Sequence, residues 1–317
     1  MTTFGDQVFH LGGIPANSGA SRFHGWWSGK AYFVDYDNGV NRDGLSPGGA
    51  FNHLATAISA ASAGDVIYIR PRNAATGTDP VTITPASATN WSIPRAKYNL
   101  SLIGAGPVIG TQGQVRATTL AGHASVTGAA LGDSVLTVYA PYTSIENLAF
   151  SRGGSTRAHV ELYGDGTQTL NAFGSSVNNC LFRMNTSATF GAVHIVDCWE
   201  CGVYNSYFDR NVQNVVVYGS TQRTEVVGCT FRGDPAAVAC CVKDTGGGTH
   251  DYLLIHDCRF MLPVPTALYI TTSTMANGGM ISACHFGANL GTLSTGITLG
   301  TKMVAVGNWD TTADLVV

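Results

Sequence analysis

The cysteines are the residues whose type and spacing first suggest chemistry. Cys198 and Cys201 form a C-x-x-C pair, and His194 lies four residues before it. Such residues are typical zinc ligands, but the sequence has no second C-x-x-C and no spacing that completes a structural zinc site. We predict no metal site and no cofactor, and expect reduced thiols that pack as small apolar side chains. The chain has eight cysteines: Cys180, Cys198, Cys201, Cys229, Cys240, Cys241, Cys258 and Cys284.

Carboxylates are the second candidate chemistry, because glycosidic bond hydrolysis uses a pair of them about 5–10 Å apart. The densest acidic residues have Arg210 and Arg232 close by in the chain. They could meet and form a catalytic groove, or each could be an ordinary turn or surface residue. We expect the second and assign no catalytic residue. The candidates for the groove are Asp197, Glu200, Asp209 and Asp234.

A nucleophile with a paired base is not indicated by any spacing. His250 and His256 flank Asp251 and Asp257. His256 and Asp257 are adjacent in a predicted strand, where successive side chains point to opposite faces, so we expect them to point apart. The sequence therefore predicts no Ser/His/Asp triad.

A repeat explains the spacing of most cysteines. A Cys or another small residue stands two places before a Phe several times, as in Cys180-Leu-Phe182 and Cys258-Arg-Phe260. The intervals of 23 to 32 residues fit single coils of a solenoid with loops of variable length. The aligned aromatic residues are Phe150, Phe182, Phe208, Phe231, Phe260, Phe286 and Trp309.

A second repeated element has the two-residue period of a β-strand. In each copy two apolar residues two places apart would face inward. Each coil therefore carries at least two short strands, and coils stacked about 4.8 Å apart would place like residues on like. The same stacking puts Cys180, Cys229, Cys258 and Cys284 in one interior row, interrupted by Ser206. The aligned pairs are Val160/Leu162, Val193/Ile195, Val215/Val217, Val238/Cys240, Leu268/Ile270 and Ile297/Leu299.

The segment before the repeats follows a helical pattern. Ser46-Pro47 offers a helix start, and Gly64 offers a stop. We predict an amphipathic helix at about 47–63, which would cap the first coil because solenoid ends expose apolar interior. A strand should follow at 66–69. The apolar stripe of the helix consists of Phe51, Leu54, Ala55, Ile58 and Ala61.

The segment 35–69, with its Asn38-Gly39, Asp43-Gly44 and Ser46-Pro47 turns, resembles the opening of right-handed parallel β-helix proteins of the pectate-lyase-like superfamily. Residues 100–107, LSLIGAGP, are similar to a strand and G-x-G found early in that superfamily. The resemblance implies an all-β fold, a right-handed parallel β-helix with an N-terminal capping α-helix. We expect one solenoid of about ten coils over residues 31–310, on the order of 50 Å long.

This architecture leaves function open, because pectin-degrading enzymes, phage tailspikes and non-enzymatic virion proteins share it. The Asp-Asp, Gly-His-Gly and Arg-x-Lys motifs of polygalacturonase-like members do not occur in the sequence. Its acidic residues are too scattered to suggest the Ca²⁺ site of pectate-lyase-like members. The resemblance therefore favours a protein without catalytic activity, while leaving a polysaccharide lyase or glycoside hydrolase as the alternative.

Residues 1–30 form a Gly-rich aromatic arm, and residues 311–317 form a short tail. The opening FGDQVFHLGGIP, residues 4–15, resembles the start of β-helix proteins among the structural genes of tailed phages. The arm could fold back on the solenoid or dock on another subunit or a large assembly. No capping helix follows residue 309, and an uncovered coil invites association. The predicted docking residues are Phe4, Phe9, Leu11, Ile14, Trp26 and Trp27.

Composition argues against two classes of partner. The net charge is -3, the pI is about 6.3 and the sequence has no Lys/Arg cluster, so we expect no nucleic acid. No apolar run approaches the roughly 18 residues of a membrane span, and the N-terminus lacks a secretory signal. We expect synthesis in the cytoplasm of a host bacterium and a final location in the virion.

These features together predict a non-enzymatic structural protein of a tailed phage virion. It would decorate the capsid, contact the major capsid protein or other virion proteins through its arm, and form a homo-oligomer, with a trimer favoured. The alternative is a tailspike-like protein that binds or depolymerises a host glycan. A free cytoplasmic polysaccharide-modifying enzyme is a third interpretation.

Overall fold

The computed structural model is a solenoid of short β-strands with one α-helix, Leu54–Ala60. Two 3₁₀ helices span Pro47–Gly49 and Arg95–Lys97. The structure describes residues 10–11, 14–15, 29–38, 40–73, 80–81, 83–85, 90–105, 119–120, 134–151, 157–165, 171–183, 185, 187, 189–232, 240–245, 250–261, 268–272, 278–287, 297–309 and 314–315.

Three long sheets form the walls of the solenoid. Sheet A has ten strands: Ala31–Val34, Val66–Ile69, Ser101–Gly104, Ser144–Glu146, Ser176–Asn178, Gly202–Tyr204, Glu225–Val227, Leu253–His256, Gly279–Ser282 and Met303–Val306. Sheet B has nine: Thr119–Leu120, Ala149–Ser151, Leu181–Arg183, Tyr207–Asp209, Thr230–Arg232, Arg259–Met261, His285–Phe286, Asn308–Trp309 and Asp314–Leu315. Sheet C has eight: Trp91–Ile93, Leu136–Val138, Val160–Tyr163, Val193–Val196, Gln213–Tyr218, Cys240–Thr245, Leu268–Thr271 and Ile297–Thr298.

Three two-stranded pairs complete the set of described strands. Two are antiparallel, His10–Leu11 with Ile14–Pro15 and Arg72–Asn73 with Pro80–Val81. The third, Thr221–Gln222 with His250–Asp251, is parallel.

From Ser101–Gly104 onward the chain visits the sheets in the repeating order A, B, C, and each strand pairs in parallel with the equivalent strand of the next coil. The exception is Asp314–Leu315, which turns back antiparallel to Asn308–Trp309 at the end of sheet B. This confirms the predicted all-β, right-handed parallel β-helix, a hand that parallel crossovers favour. Each central coil has three strands rather than the two that the sequence pattern resolves.

The interior of sheet B is a row of stacked phenylalanines. The rings of Phe150, Phe182, Phe208, Phe231, Phe260 and Phe286 are fully buried. Successive ring centroids lie between 4.8 and 5.2 Å apart, with interplanar angles of 6 to 16°. That separation is the strand spacing itself, so unshifted register is enough to bring the rings together. The repeat of Phe in the sequence is thus the repeat of the coil.

The predicted row breaks at Trp309. Its strand partner is His285 rather than Phe286, so its side chain points outward and is 40% exposed. Asn308 instead occupies the interior row of the cysteines, where its Oδ1 accepts a hydrogen bond from the backbone N–H of Cys284 at 3.0 Å. The earlier members of this interior row are buried as predicted: Cys180, Ser206, Cys229, Cys258 and Cys284.

Two of the aligned pairs in sheet C were also placed wrongly. Val215 pairs with Val242, and Val242 pairs with Ile270. The inward pair of that coil is therefore Val242 with Asp244, not Val238/Cys240, and Ile270 is the first rather than the second residue of the next pair. A shift by an even number of residues keeps the same face inward, so alternation alone cannot detect it.

The corner between sheets A and B needs at most two residues in the seven coils named below, because the first has a left-handed backbone. The residues at this corner have φ between 47 and 64°. Asn tolerates this conformation better than most residues. Its amide also links coils, since Asn179 Nδ2 donates to Asn147 Oδ1 at 3.0 Å. The corner residues are Asn147, Asn179, Asn205, Gly228, Asp257, Ala283 and Gly307.

The α-helix is shorter than the predicted 47–63. Ser46 Oγ accepts from the Gly49 N–H at 3.0 Å, but this starts the 3₁₀ turn Pro47–Gly49. Phe51 then pairs with the first strand of sheet A, since its N–H donates to the Phe33 carbonyl at 2.8 Å. The helix begins at Leu54 and buries Leu54, Ala57 and Ile58 against the first strands, as a capping helix should.

Candidate functional site

Two of the predicted acidic candidates lie at the corner between sheets C and A. Asp197 accepts a hydrogen bond from the Ser220 N–H at 2.6 Å, and Glu200 forms an ion pair with Arg223 at 2.5 Å. Both carboxyl residues have a left-handed backbone, with φ of 47 and 56°. Their contacts serve the turn, which is the ordinary role that the sequence also allowed.

Asp209 lies elsewhere, on the outer face of sheet B, which does not border that corner. Its Oδ2 is 3.4 Å from the Nε atoms of both Arg183 and Arg210. Arg232 is one coil further in the same register position. The pKa of its guanidinium is raised by a hydrogen bond to Tyr207 and by the charges of Tyr207 and Asp209. The structure thus gathers three arginines around Asp209.

The other predicted acid, Asp234, lies outside the described residues. No described contact joins Asp209 to Asp197 or Glu200. The acidic candidates are therefore divided between two parts of the coil, and those within the described residues do not form one carboxylate pair.

We name four exposed arginines on and beside the outer face of sheet B the arginine strip. Arg183, Arg232 and Arg259 lie on its strands, and Arg210 directly follows the strand Tyr207–Asp209. Arg259 lies one coil beyond Arg232, next to Thr230 in the ladder, and it makes no ion pair with any described residue. The arginines stand 22 to 27 residues apart in the chain, which is about one coil. Because the arginines are this far apart in the chain, the sequence shows no Lys/Arg cluster. The structure brings them together, so the lack of a cluster in the sequence does not by itself argue against a nucleic-acid partner.

A Thr–His–Asp arrangement, which sequence spacing did not predict, lies in the interior. His250 Nε2 is 2.6 Å from Asp244 Oδ1, and His250 Nδ1 is 2.9 Å from Thr221 Oγ1. All three residues are at most 4% exposed. A substrate has no access to such a buried hydroxyl, so we interpret the cluster as a structural arrangement of paired polar side chains within the core.

The prediction that His256 and Asp257 point apart was wrong. His256 Nδ1 lies 2.9 Å from Asp257 Oδ2. The strand ends at His256, and Asp257 adopts a left-handed backbone with φ of 54°, so strand alternation no longer applies to it. The pair is at the surface and has no described nucleophile beside it.

A second polar cluster lies on the outer face of sheet C, where Glu161 and His194 are register partners. Ser134 Oγ donates to Glu161 Oε2 at 2.9 Å, and His194 Nδ1 is 3.4 Å from Glu161 Oε1. The Phe190 ring packs edge-on against the His194 ring, with 4.9 Å between the ring centroids. The Arg157 guanidinium lies 4.5 Å from the centroid of the Phe190 ring. The cluster is thereby closed to solvent, with Glu161 only 9% and His194 only 4% exposed.

The carboxyl group of Glu161 stays charged under this cover. Burial alone would raise its pKa, but the hydrogen bond and charge of His194, the hydrogen bond of Ser134 and the charge of Arg157 outweigh burial and lower it. Glu161 and His194 each stand between the two inward apolar residues of their strand, but the sequence gives no signal that they are paired.

The cysteines behave as apolar side chains. The seven whose side chains are described are buried and form no disulfide with one another. Burial raises the pKa of the Cys180 thiol to about 12 and that of the Cys198 thiol well above its ordinary value. Protonated, buried thiols are poor nucleophiles and poor metal ligands. Within the described part of the chain, no three His, Cys, Asp or Glu side chains are placed to hold a metal ion.

The predicted docking arm is largely outside the described residues, including Phe4, Phe9, Trp26 and Trp27. Leu11 and Ile14 belong to the antiparallel pair near the N-terminus, and their side chains are not described.

An apolar surface that sequence reasoning missed lies at the other end of the molecule. Val304 and Val306 point outward from the last strand of sheet A and are 59 and 53% exposed. Met280 stands beside Val304 in the ladder. We call this surface, on the outer face of sheet A, the C-terminal apolar patch. It consists of Met280, Val304 and Val306.

Several solved structures are similar to the chain at low sequence identity. A pectin methylesterase variant solved in complex with a hexasaccharide superposes with a TM-score of 0.52 at 11% identity, covering 92% of both chains. A pectin methylesterase from Aspergillus niger gives a TM-score of 0.48 at 13% identity, covering 92% of this chain and 88% of that one. A pectate lyase gives 0.41 at 10% identity, covering 90% and 81%. No protein-family model and no curated protein matches the sequence.

The first of these superpositions, together with the sheet register, defines the class: the chain is a parallel β-helix protein. At 11% identity the likeness concerns the path of the backbone, and it carries no catalytic residue across. No helix in the described part of the chain is both long and apolar enough to cross a membrane.

Proposed function

We propose that the protein is a non-enzymatic structural component of a tailed phage virion that decorates the capsid. In this role the β-helix is a rigid spacer, the arm of residues 1–30 contacts the major capsid protein or another virion protein, and copies of the chain associate as a trimer.

The C-terminal apolar patch is the observation that carries the proposal. Surface apolar residues that stand singly are ordinary, whereas a group of them on adjoining strands favours association. Val304 and Val306 lie on the terminal strand of sheet A, which has no further strand beside it among the described residues. A second copy that covers this surface would bury the valines and protect the strand edge.

The resemblance of residues 4–15 to phage β-helix proteins supports the virion location. A depolymerase is the weaker interpretation, since Asp209 lies apart from Asp197 and Glu200 and the Thr221–His250–Asp244 cluster is buried. No described group of residues favours this alternative as a second candidate function.

The test has two parts. Mass spectrometry of purified particles should find the protein in fixed proportion to the major capsid protein. Analytical ultracentrifugation of the purified chain should show a trimer that V304D/V306D converts to a monomer with unchanged circular dichroism. Val40→Asp is the matched control, because Val40 is 60% exposed but lies far from the patch in the chain. Absence from particles, or a monomeric wild type at micromolar concentration, would overturn the proposal.

The anchoring role of the arm is tested separately. Deleting residues 1–30 should leave a β-rich folded protein that no longer binds particles from which the protein is missing. Full binding by the truncated chain would assign attachment to the solenoid instead.

A further inference from the structure

We propose that Cys198 and Cys201 form a site of oxidative modification, at which a small hydroperoxide converts the two thiols into a disulfide bond. The bond joins the two sides of the corner between sheets C and A, since the strand Val193–Val196 ends just before Cys198 and Gly202–Tyr204 begins directly after Cys201. The proposal concerns the chain itself and does not depend on its place in a virion.

The two thiols converge inside this corner. Both side chains are fully buried, and they hydrogen bond to each other. Both also hydrogen bond to the backbone of Ala172 one coil earlier, with Cys201 Sγ donating to its carbonyl oxygen at 3.2 Å. Two residues separate the cysteines, and the second, Glu200, has a left-handed backbone with φ of 56° that turns the chain. Thiols that already touch within one turn need little movement to reach the short separation of a disulfide.

Hydroxyl groups lie beside the pair. One coil further, the ladder places Thr221 next to Cys198 and Thr224 next to Cys201. Thr224 is 1% exposed, and its Oγ1 has no hydrogen-bond partner within the described part of the chain. A buried hydroxyl without a partner costs free energy, so this corner favours a small polar reactant that can hydrogen bond to it. A hydroperoxide has both the size and the polarity required.

The reaction consumes one hydroperoxide molecule for each disulfide. With hydrogen peroxide, one thiol loses its proton and its sulfur attacks a peroxide oxygen, which breaks the O–O bond and gives a sulfenic acid and water. The second thiol then attacks that sulfur, forms the S–S bond and releases the hydroxyl group as a second water. The two thiols lose two electrons and two protons, and the peroxide gains them, so no other reactant is needed.

Burial controls the rate of this reaction. It raises the pKa of the Cys198 thiol well above its ordinary value, so the thiolate that starts the reaction is scarce while the corner is closed. Local opening of a coil can expose the pair without unfolding the whole protein. Oxidation should therefore be slow in buffer and several-fold faster in urea below the unfolding midpoint.

The experiment incubates the purified full-length protein with hydrogen peroxide, with and without such urea, and alkylates the remaining thiols after denaturation. A protease that cleaves after glutamate then cuts between the two cysteines at Glu200, so the fragments on either side stay joined only where the disulfide has formed. We expect mass spectrometry to find this joined pair and reduction to separate it. Oxidation of exposed methionines such as Met261 adds oxygen but joins no fragments.

A double serine variant connects the result to the pair. Oxidised wild type should unfold at higher urea than reduced wild type, because the bond constrains the unfolded chain. C198S/C201S should give no joined fragments at this corner and no such shift after peroxide. Serine suits both positions, since Thr221 and Thr224 already place hydroxyls beside them in the next coil.

Cys258→Ser is the matched control, because Cys258 contacts Cys229 and Cys284 in an interior row that already contains Ser206. It should form the proposed bond at the wild-type rate. Three results would overturn the proposal: no joined fragments at any urea concentration below the unfolding midpoint, a disulfide through Cys258 instead, or an oxidised wild type that unfolds at lower urea than the reduced protein. None of these results bears on the capsid proposal, which is tested on particles and by oligomeric state.

Discussion

The two faces of sheet B differ in how much their residues change from one coil to the next. Its inner face repeats one residue, with Phe208, Phe231 and Phe260 stacked at 4.9 Å. Its outer face changes from coil to coil, so that Arg183 is followed by Asp209, Arg232 and then Met261 at the same register position. Both faces belong to the same strands and the same backbone hydrogen bonds. The difference therefore comes from the surroundings of the side chains, not from strand formation.

This difference separates the residues that determine the fold from those available for function. An interior position must fill the same space in every coil, because the strand spacing leaves room for a stacked ring and little else. An outer position meets solvent and tolerates many residues. A parallel β-helix can therefore keep its architecture while its outer face changes from coil to coil.

The comparison predicts its largest effect within the phenylalanine row. Phe231→Ala should lower the free energy of unfolding by about 4 kcal/mol, because it removes a fully buried ring and leaves a cavity between two others. Thr230→Ala, one residue earlier on the outer face, should cost less than about 1 kcal/mol. The measurement is urea denaturation followed by circular dichroism. Similar losses for the two variants would show that the faces are not energetically distinct.

The interior of sheet C gives the second prediction, because there a charge replaces an apolar residue. Asp244 follows Val217 at an inward register position and is paired with His250. His250→Leu removes the polar partner that lies 2.6 Å from this buried carboxyl group and should cost about 3 kcal/mol. The measurement is again urea denaturation.

A double variant tests the reason for that loss. D244V/H250L extends the valine row and removes both polar partners, so it should recover most of the stability lost by His250→Leu. A double variant as unstable as the single one would indicate that shape, rather than the unpaired charge, determines the cost.

The same contrast explains how much of the molecule the sequence could predict. Phe182 to Phe286 repeat at coil intervals, and this regularity was enough to predict the class of fold and the interior rows. Trp309 was misplaced because the interval to it resembles the others, although Asn308 takes the interior position. The pair Val238/Cys240 was misplaced because a shift of four residues leaves the alternation unchanged.

The sites were harder to predict because they depend on register between coils. Arg183 and Arg232 are 49 residues apart in the sequence, and only the number of residues in each loop places Asp209 between them. Glu161 and His194 likewise meet only through ladder pairing. The sequence contains no local signal for such contacts, whereas turns such as Asn147 and Asn179 have one in their residue type.

The smallest expected effect concerns the buried polar cluster on the outer face of sheet C. Its side chains face outward, but they are as buried as interior residues. Glu161 is charged and faces outward, yet it is only 9% exposed and has a lowered pKa. A carboxyl group with a lower pKa in the folded state stabilises the protein above its unfolded pKa, near 4.5, and loses that contribution as pH falls through the folded value.

Glu161→Gln should therefore be less stable than wild type at pH 7, by on the order of 1 kcal/mol. The difference should shrink below pH 4.5. Ser134→Ala removes a hydrogen bond that lowers the pKa of Glu161, so this variant should lose the stabilising contribution of Glu161 at a higher pH than wild type does. Urea denaturation from pH 3 to 8 measures all three proteins, and a pH-independent gap between wild type and Glu161→Gln would mean that the cover over sheet C does not keep Glu161 charged.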